Sequence, residues 1–446
     1  MSDESTPGAT TDGAAGGGTW CCELELSAEP ALRAVLPLRE ESAARVLVRL
    51  HGAPLGYVTV PVGDAGPDAG AVARGARRQF ADAVADHLAE DGLTAPLDLP
   101  LPAAGGHCPE LAEYDELVSV VVCTRDRSNV LTGCLDRLAA LTHPHLEIVV
   151  VDNAPTDDRT RRLVEAVAAE DPRFRYVVEP RPGLSCARNR GLAEARGSVV
   201  AYTDDDVAVD PRWVQGLLRG FRRQADVGCV TGLVCTAGIS SRAEEYFDAR
   251  TSLWSTRCAP QLFDLAGNRP ADPLFPYAPG LFGTGASFAF DREVLLGLGG
   301  FDEALGAGTL TRGGEDLDAF VRVLRAGHAI AYEPAAVVWH HHRADDAALL
   351  RQLFGYGTGL AAYLAKCLLA RDTRREVLRR VPAGLARGRG IAESTTERLG
   401  ATAAAPRGAA RQELAGLVAG SFLYLRARRA ARRSPGVLPD PVVLAG

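Results

Sequence analysis

Lysine is nearly missing from this chain: Lys366 stands alone against 48 arginines in 446 residues. That bias reports genome composition rather than function. A basic excess is missing too. The net charge is −7 at pH 7, whereas a general nucleic-acid binder would carry a large positive one, so no nucleic-acid partner is expected. None of the ten cysteines forms a C-x-x-C pair, which leaves no zinc ribbon and no disulfide framework; the thiols read as reduced, mostly buried and cytoplasmic. Nor does any window reach the roughly 18 uninterrupted apolar residues of a membrane-spanning helix. The longest runs, Gly359 to Ala370 and Leu414 to Leu425, are about a dozen residues, and Lys366 interrupts the first. There is no G-x-x-x-x-G-K-[ST], and no G-x-G-x-x-G follows the first strand of the main region, which weighs against P-loop ATPase and dehydrogenase chemistry.

What is present is globular. Hydrophobic residues make up 47% and charged residues 24%, ordinary values for a folded chain. The length suits one large domain with appendages, or two to three domains. Charge is uneven: fifteen arginines face five acids between Arg371 and Arg433, which leaves −17 for the rest. Residues 1–19 carry Asp3 and Glu4 and then mostly Gly, Ala and Thr, so a disordered tail is expected rather than a secretory signal. Residues 20–99 read as a small α+β module. It has an alternating stretch from Arg45 to Leu50, a turn over Gly52 to Gly56, a second stretch from Tyr57 to Val62, and a helical pattern from Val72 to Leu88. Nothing in that module has the spacing of a chemical site. A Pro/Ala/Gly-rich link, Pro96 to Gly106, follows.

Residues 115–343 change texture. Apolar runs at Leu117 to Cys123, Leu146 to Val151, Tyr176 to Val178 and Val199 to Tyr202 alternate with helical patterns, the sequence form of a doubly wound α/β fold with a parallel sheet. Ligands of such sheets sit beyond the carboxyl ends of the strands. The residues there are polar: Thr124-Arg-Asp-Arg127, Asp152-Asn153, Glu179-Pro-Arg181 and Asp204-Asp-Asp206.

Three of these stretches and three others carry candidate chemistry. Adjacent carboxylates Asp204, Asp205 and Asp206 repel unless a cation neutralises them, and hard divalent ions prefer such oxygens; a solvated turn before a helix is the alternative. Glu315 and Asp316, after Gly313-Gly314, either cap the following helix or supply a general base. His340, His341 and His342 end a short strand-like run, so successive rings take opposite faces, His340 and His342 on one side and His341 on the other; one imidazole could complete a metal shell, or all three could be surface residues. Thr124, Arg125 and Asp152 stand at strand ends where a base or ribose would bind. Arg188 presents a fork suited to phosphate or base edges, or to a helix-surface salt bridge.

The ordered set Val118-Ser-Val-Val-Val-Cys-Thr-Arg125, Val149-Val-Val-Asp-Asn153, Ala187-Arg-Asn-Arg-Gly191, Thr203-Asp-Asp-Asp206, Gly283-Thr-Gly-Ala286, Gly299-Gly-Phe-Asp302, Gly314-Glu-Asp316 and the late histidines resembles the inverting family 2 glycosyltransferases of bacterial type. The resemblance covers about Val118 to Arg343. It implies a GT-A-like doubly wound mixed sheet flanked by helices, a nucleotide-sugar donor with a UDP-sugar foremost, Mn²⁺ or Mg²⁺, and a carbohydrate or lipid-linked acceptor. It also implies hexosyl transfer in cell-envelope polysaccharide, glycolipid or secondary-metabolite assembly. Carried over by position, Thr124, Arg125, Asp152 and Arg188 look like the nucleoside pocket, with Asp204 and Asp205 beside the donor. Asp204, Asp206 and His340 look like metal ligands, Asp316 like the catalytic base, and Glu315 like its acceptor-side neighbour. One departure is Cys123-Thr-Arg-Asp-Arg127, where many members have Pro-Thr-Tyr-Asn-Arg. Two other classes remain in view. A sugar nucleotidylyltransferase would want glycines after the first strand, which Thr124-Arg-Asp-Arg-Ser-Asn129 lacks; a non-catalytic nucleotide-sugar-binding protein would use the acids only as caps.

Residues 344–446 read as a helical extension, with patterns at Ala347 to Leu369, Arg374 to Arg380 and Ala410 to Arg433. In the last, Leu414, Leu417, Val418, Phe422 and Leu425 recur at helical spacing before five arginines. Such a helix either packs on the catalytic domain with a solvated basic end or lies on an anionic membrane surface. The location implied is cytoplasmic, with peripheral contact at the inner face of the cell membrane as the second reading.

Overall fold

The computed structural model describes residues 17–94, 99–106, 108–109, 112–278, 280–399, 405–433 and 436–438, without the side chains of Leu253 and Trp254. Most of the expected tail therefore lies outside the described residues. Its last residue does not: Thr19 opens the first strand and bridges to Ile239 of the main domain.

Strands β1 (Thr19–Glu25), β2 (Leu32–Arg33), β3 (Ala43–Leu50) and β4 (Ala53–Pro61) form a sheet in the order β2-β1-β3-β4. The hairpin turn is tighter than the sequence suggests. It consists of His51 and Gly52 alone, at φ 53° and 91°, the left-handed pair that matches the twist of flanking strands. The expected single helix is two, α1 (Ala69–Gln79) and α2 (Ala81–Glu90). Phe80 leaves helical geometry between them and lays its ring against Gly56. The module docks on the main domain through Arg45–Asp248 at 2.8 Å and Arg49–Asp210 at 2.6 Å.

The main domain runs β5 (Val118–Thr124), α3 (Ser128–Ala139), β6 (Leu146–Asn153), α4 (Arg159–Glu170), β7 (Phe174–Glu179), α5 (Leu184–Glu194), β8 (Val199–Asp204), β9 (Val207–Val209), α6 (Trp213–Phe221), β10 (Val227–Thr236), α7 (Arg242–Ser255), β11 (Gln261–Phe263), β12 (Ser287–Asp291), α8 (Arg292–Gly297), α9 (Glu315–Arg325) and β13 (Ala329–His340). The sheet order is β11-β13-β10-β12-β8-β5-β6-β7, with β9 added on β13. Strands β5 to β8 are mutually parallel where they pair, and β12 lies antiparallel between β8 and β10. The sheet is thus mixed, doubly wound and flanked by helices, as expected. Successive residues of β5 and β6 feed opposite layers: Val121, Val149 and Val151 join one core, and Val118, Val120, Val122, Ile148 and Val150 the other. That two-sided burial explains why both strands are apolar without alternation.

The C-terminal helices are α10 (Asp346–Leu369), α11 (Arg374–Leu399) and α12 (Ala409–Ala431). Helix α11 continues nineteen residues beyond the sequence expectation, through Pro382. Arg380 bonds the Phe275 carbonyl and Arg387 pairs with Asp272, so tertiary anchors offset the helix-breaking residue. Helix α12 does pack on the domain, but by an unexpected face. Its buried residues are Ala409, Gly416, Gly420, Tyr424 and Ala427. A Cβ on Gly416 would stand 2.3 Å from the Phe354 carbonyl oxygen of α10, and one on Gly357 would stand 2.2 Å from that of Glu413; only glycines let the two backbones approach this closely. The apolar stripe points away, with Val418 76% and Phe422 63% exposed.

Candidate functional site

The strand ends position the acids. Asp204 is the last residue of β8, after which the chain turns at once into β9. Because β9 runs antiparallel to β13 with Val207 opposite His340, that pairing brings His340 beside the turn. Its Nε2 lies 3.5 Å from Asp206 Oδ1. His342 turns elsewhere, its Nε2 3.1 Å from Thr236 Oγ1 and its ring 4.5 Å from Phe247, and burial lowers its pKa to about 3.

The second acidic pair enters from α9. Gly314, at φ 90°, turns the chain into the helix, and a side chain there would strike the Gly359 carbonyl of α10. Asp316 is then fixed by two backbone donors: Gly285 N–H to Oδ2 at 3.1 Å and Leu317 N–H to Oδ1 at 2.8 Å. Arg188 ties the two acidic regions together. It donates to Glu315 Oε1 at 3.0 Å, to Asp204 Oδ1 at 3.4 Å and to the Gly285 carbonyl at 3.1 Å. Its guanidinium lies over Phe288 and Phe301, 5.0 and 5.6 Å from the ring centroids. Residues 204 and 316, far apart in the chain, are therefore joined through one guanidinium and the backbone of a single residue, Gly285.

The expected residues divide into three groups. Asp204, Asp206, His340 and Asp316 come together. Glu315 and Arg188 come with them but face inward: Glu315 is buried against Arg188 rather than on an open acceptor side, and Arg188 is only 3% exposed. Thr124 and Asp205 pair with each other, hydroxyl to Oδ2 at 2.7 Å. Asp152 is buried and accepts from the Tyr176 hydroxyl at 2.9 Å, while its Oδ1 has no partner. Arg125 is largely exposed, 4.0 Å from Asp126.

Two residues that sequence reasoning did not single out complete the site. Arg127 pairs with Asp205 and, at 3.0 Å, with Asp206; Arg343 reaches Asp206 Oδ2 at 3.1 Å. The Arg-x-Arg pattern after β5 was the available signal for the first. These guanidiniums, with Arg188, already balance the charge of the triplet, so repulsion alone does not require a metal. The donor set still suits one: two carboxylates, with Asp204 about one-third exposed at 35%, and an imidazole nitrogen close to Asp206 match the ligand preferences of Mn²⁺ or Mg²⁺.

The protonation states follow from surroundings. Burial raises the pKa of Asp206, but the His340 and Arg127 contacts outweigh it and hold the carboxyl well below the usual range. Burial pushes Asp205 up to about 6 against the opposing pull of Arg127. It pushes Glu315 up to about 7, with Arg188 opposing and Asp316 adding to the rise.

Residues 119–296 match the glycosyl transferase family 2 model. A pre-mycofactocin glycosyltransferase of Mycobacterium tuberculosis is 27% identical over 294 residues, which cover 65% of this chain and 54% of that relative. The glucosyl-dolichyl phosphate glucuronosyltransferase of Haloferax volcanii is 26% identical over 191 residues, 42% of this chain and 57% of the relative. The chain spans little more than half the length of either. A mannosyltransferase from Pyrobaculum calidifontis, solved in complex with GDP-Man and Mn²⁺, has a TM-score of 0.44 at 21% identity, over 72% of this chain and 88% of that one. The family match runs from β5 through most of α8 and holds Thr124, Asp152, Arg188 and the Asp204 to Asp206 turn; over that region the chain is similar to glycosyl transferase family 2.

Proposed function

We propose that this chain moves a sugar from a nucleotide-sugar donor to an acceptor hydroxyl in a single inverting displacement. The observation that carries the reading is the Arg188 and Gly285 link, which holds Asp204 and Asp316 in one cluster. Asp316 accepts the acceptor proton as the acceptor oxygen bonds to the anomeric carbon. The bond from that carbon to the diphosphate oxygen breaks, and the nucleoside diphosphate leaves. A bound Mn²⁺ or Mg²⁺, held by Asp204, Asp206 and His340, would supply Lewis-acid stabilisation of the diphosphate charge. Arg188 and Glu315 act through position: the buried pair sets where Asp204 and the Gly285 peptide stand. Asp152 Oδ1, buried without a partner, supports recognition of a base N–H, which reaches it when the Tyr176 hydroxyl moves aside. A UDP-sugar is the donor of first choice.

The outward stripe of α12 supports a lipid-linked acceptor. Leu414, Val418 and Phe422 are exposed on a helix whose end carries five arginines, the composition that binds an anionic bilayer surface. No helix among the described residues is long and apolar enough to cross a membrane.

Melting curves of the purified chain with nucleoside diphosphate sugars and Mn²⁺, followed by donor hydrolysis without acceptor, test the proposal. A metal-dependent rise in melting temperature together with slow release of the nucleoside diphosphate is expected. Release of pyrophosphate from a nucleoside triphosphate and a sugar phosphate would point to a nucleotidylyltransferase. Stabilisation without turnover toward any acceptor would leave a binding protein.

A further inference from the structure

The N-terminal module holds a second cluster of metal-binding side chains, which the sequence spacing hides. His51 Nδ1 and His87 Nε2 are 3.0 Å apart, and Cys108 Sγ lies 3.5 and 3.8 Å from them. Zinc–nitrogen bonds of about 2.0–2.1 Å and zinc–sulfur bonds of about 2.3 Å put tetrahedral neighbours about 3.3 Å (N···N) and about 3.6 Å (N···S) apart. The observed triangle departs from that by at most a few tenths of an ångström.

The surroundings orient the donors as a metal site requires. His51 Nε2 lies 2.9 Å from the Pro102 carbonyl. A carbonyl only accepts, so Nε2 carries the proton and the Nδ1 lone pair faces the other two residues, the arrangement in which an outer carbonyl fixes a ligating imidazole. The turn bearing His51 is itself pinned, since Glu25 accepts from the His51 and Gly52 N–H groups at 2.9 Å each. Burial and the neighbouring His51 lower the pKa of His87 and favour the neutral ring. Cys108 is buried, and the segment before it is held by Asp91, which accepts from Gly105 N–H.

We propose that His51, His87 and Cys108 bind one Zn²⁺ ion, with water in the fourth position, as a structural clasp separate from the glycosyl-transfer site. Each ligand comes from a different element: the β3–β4 turn, the last turn of α2, and the link leading to β5. Binding expels the Cys108 thiol proton to solvent and moves the His87 proton to its outer nitrogen. The clasp fastens the link to the module it leaves.

Metal analysis of the full chain, purified without chelator, should find close to one zinc per chain, and the Cys108→Ser/His87→Gln double variant close to none. After exchange into Co²⁺, the wild type should show a thiolate-to-cobalt charge-transfer band that Cys108→Ser lacks. Zinc affinity should fall in each single variant by more than the roughly 10- to 100-fold that loss of a supporting partner costs. Mn²⁺-dependent donor binding should be unchanged in both. Absence of the band in wild-type protein, or zinc bound no more tightly by wild type than by the folded double variant, would leave a hydrogen-bonded triad and overturn the assignment. The wild-type cobalt spectrum decides even if a variant does not fold.

Discussion

Asp316→Asn separates a catalytic base from a structural cap, because the two roles predict effects of different size. The side chain accepts Gly285 N–H on one oxygen and Leu317 N–H on the other. Asparagine keeps one acceptor and turns an NH₂ group toward the remaining N–H. That loses one charge-assisted hydrogen bond, about 1.5–3 kcal/mol, and a helix-N-terminal charge worth about 0.3–1 kcal/mol. In a domain this large, such a loss lowers the melting temperature by several degrees, on the order of 2–4 °C per kcal/mol or less, and the protein stays folded at 25 °C. The amide cannot take up a proton, so kcat should fall by about 10²–10⁴, roughly 3–5 kcal/mol in barrier. Donor affinity should hold, because the residues proposed to meet the donor's metal and base lie at the ends of β5, β6, β8 and β13 and not on α9. Transfer rates at saturating donor, with the donor Kd from calorimetry, measure both. A kcat within tenfold of wild type would refute the base assignment. A Kd weakened in step with kcat would make Asp316 a positioning residue.

Asp206→Asn should abolish the difference in donor affinity between Mn²⁺ and EDTA buffers, and an undiminished difference would remove Asp206 from the metal. Glu315 predicts a pH effect. Its folded pKa, about 7, exceeds the ordinary 4.5, so its contribution is fully present below 4.5 and is lost as pH rises through 7. The stability of wild type relative to Glu315→Gln should therefore decline by up to about 3 kcal/mol between pH 4.5 and 8; urea titrations that give a flat difference would contradict it. Val418→Glu with Phe422→Glu alters only outward residues of α12 and should abolish flotation with anionic liposomes while leaving the melting temperature within a degree or two; flotation equal to wild type would sink the membrane reading.

The sheet was legible because β5, β6 and β8 are buried on both faces and so read as largely apolar runs, broken only by Ser119 and Glu147 before their polar ends. Strand β12 was not, since Ser287-Phe-Ala-Phe290 is too short and mixed to stand out from the glycine-rich loop before it. The carboxylates were legible from their strand-end position. Their guanidinium partners were not, because nothing local marks which of 48 arginines folds inward; that choice is made by rings such as Phe288 and Phe301, contributed from elsewhere. The histidine ambiguity had the same origin. Alternation along a strand could not separate His340 from its neighbours, whereas the pairing of β9 with β13 does. The outward face of α12 ran against the periodicity for a physical reason: close backbone approach through glycine displaced apolar side chains from the contact.

The glycine seam has a directional meaning. Gly416 and Gly420 lock α12 onto α10, and Gly359 of α10 lies against Gly313 and Gly314, immediately before Glu315 and Asp316. Three helices thus meet backbone to backbone, with no long side chains between them to act as a cushion. A surface gripping the outer rim of α12 would hold the Asp316 carboxylate, proposed above as the proton acceptor, at a set height and tilt above it, so that an acceptor anchored in that surface would arrive already aimed.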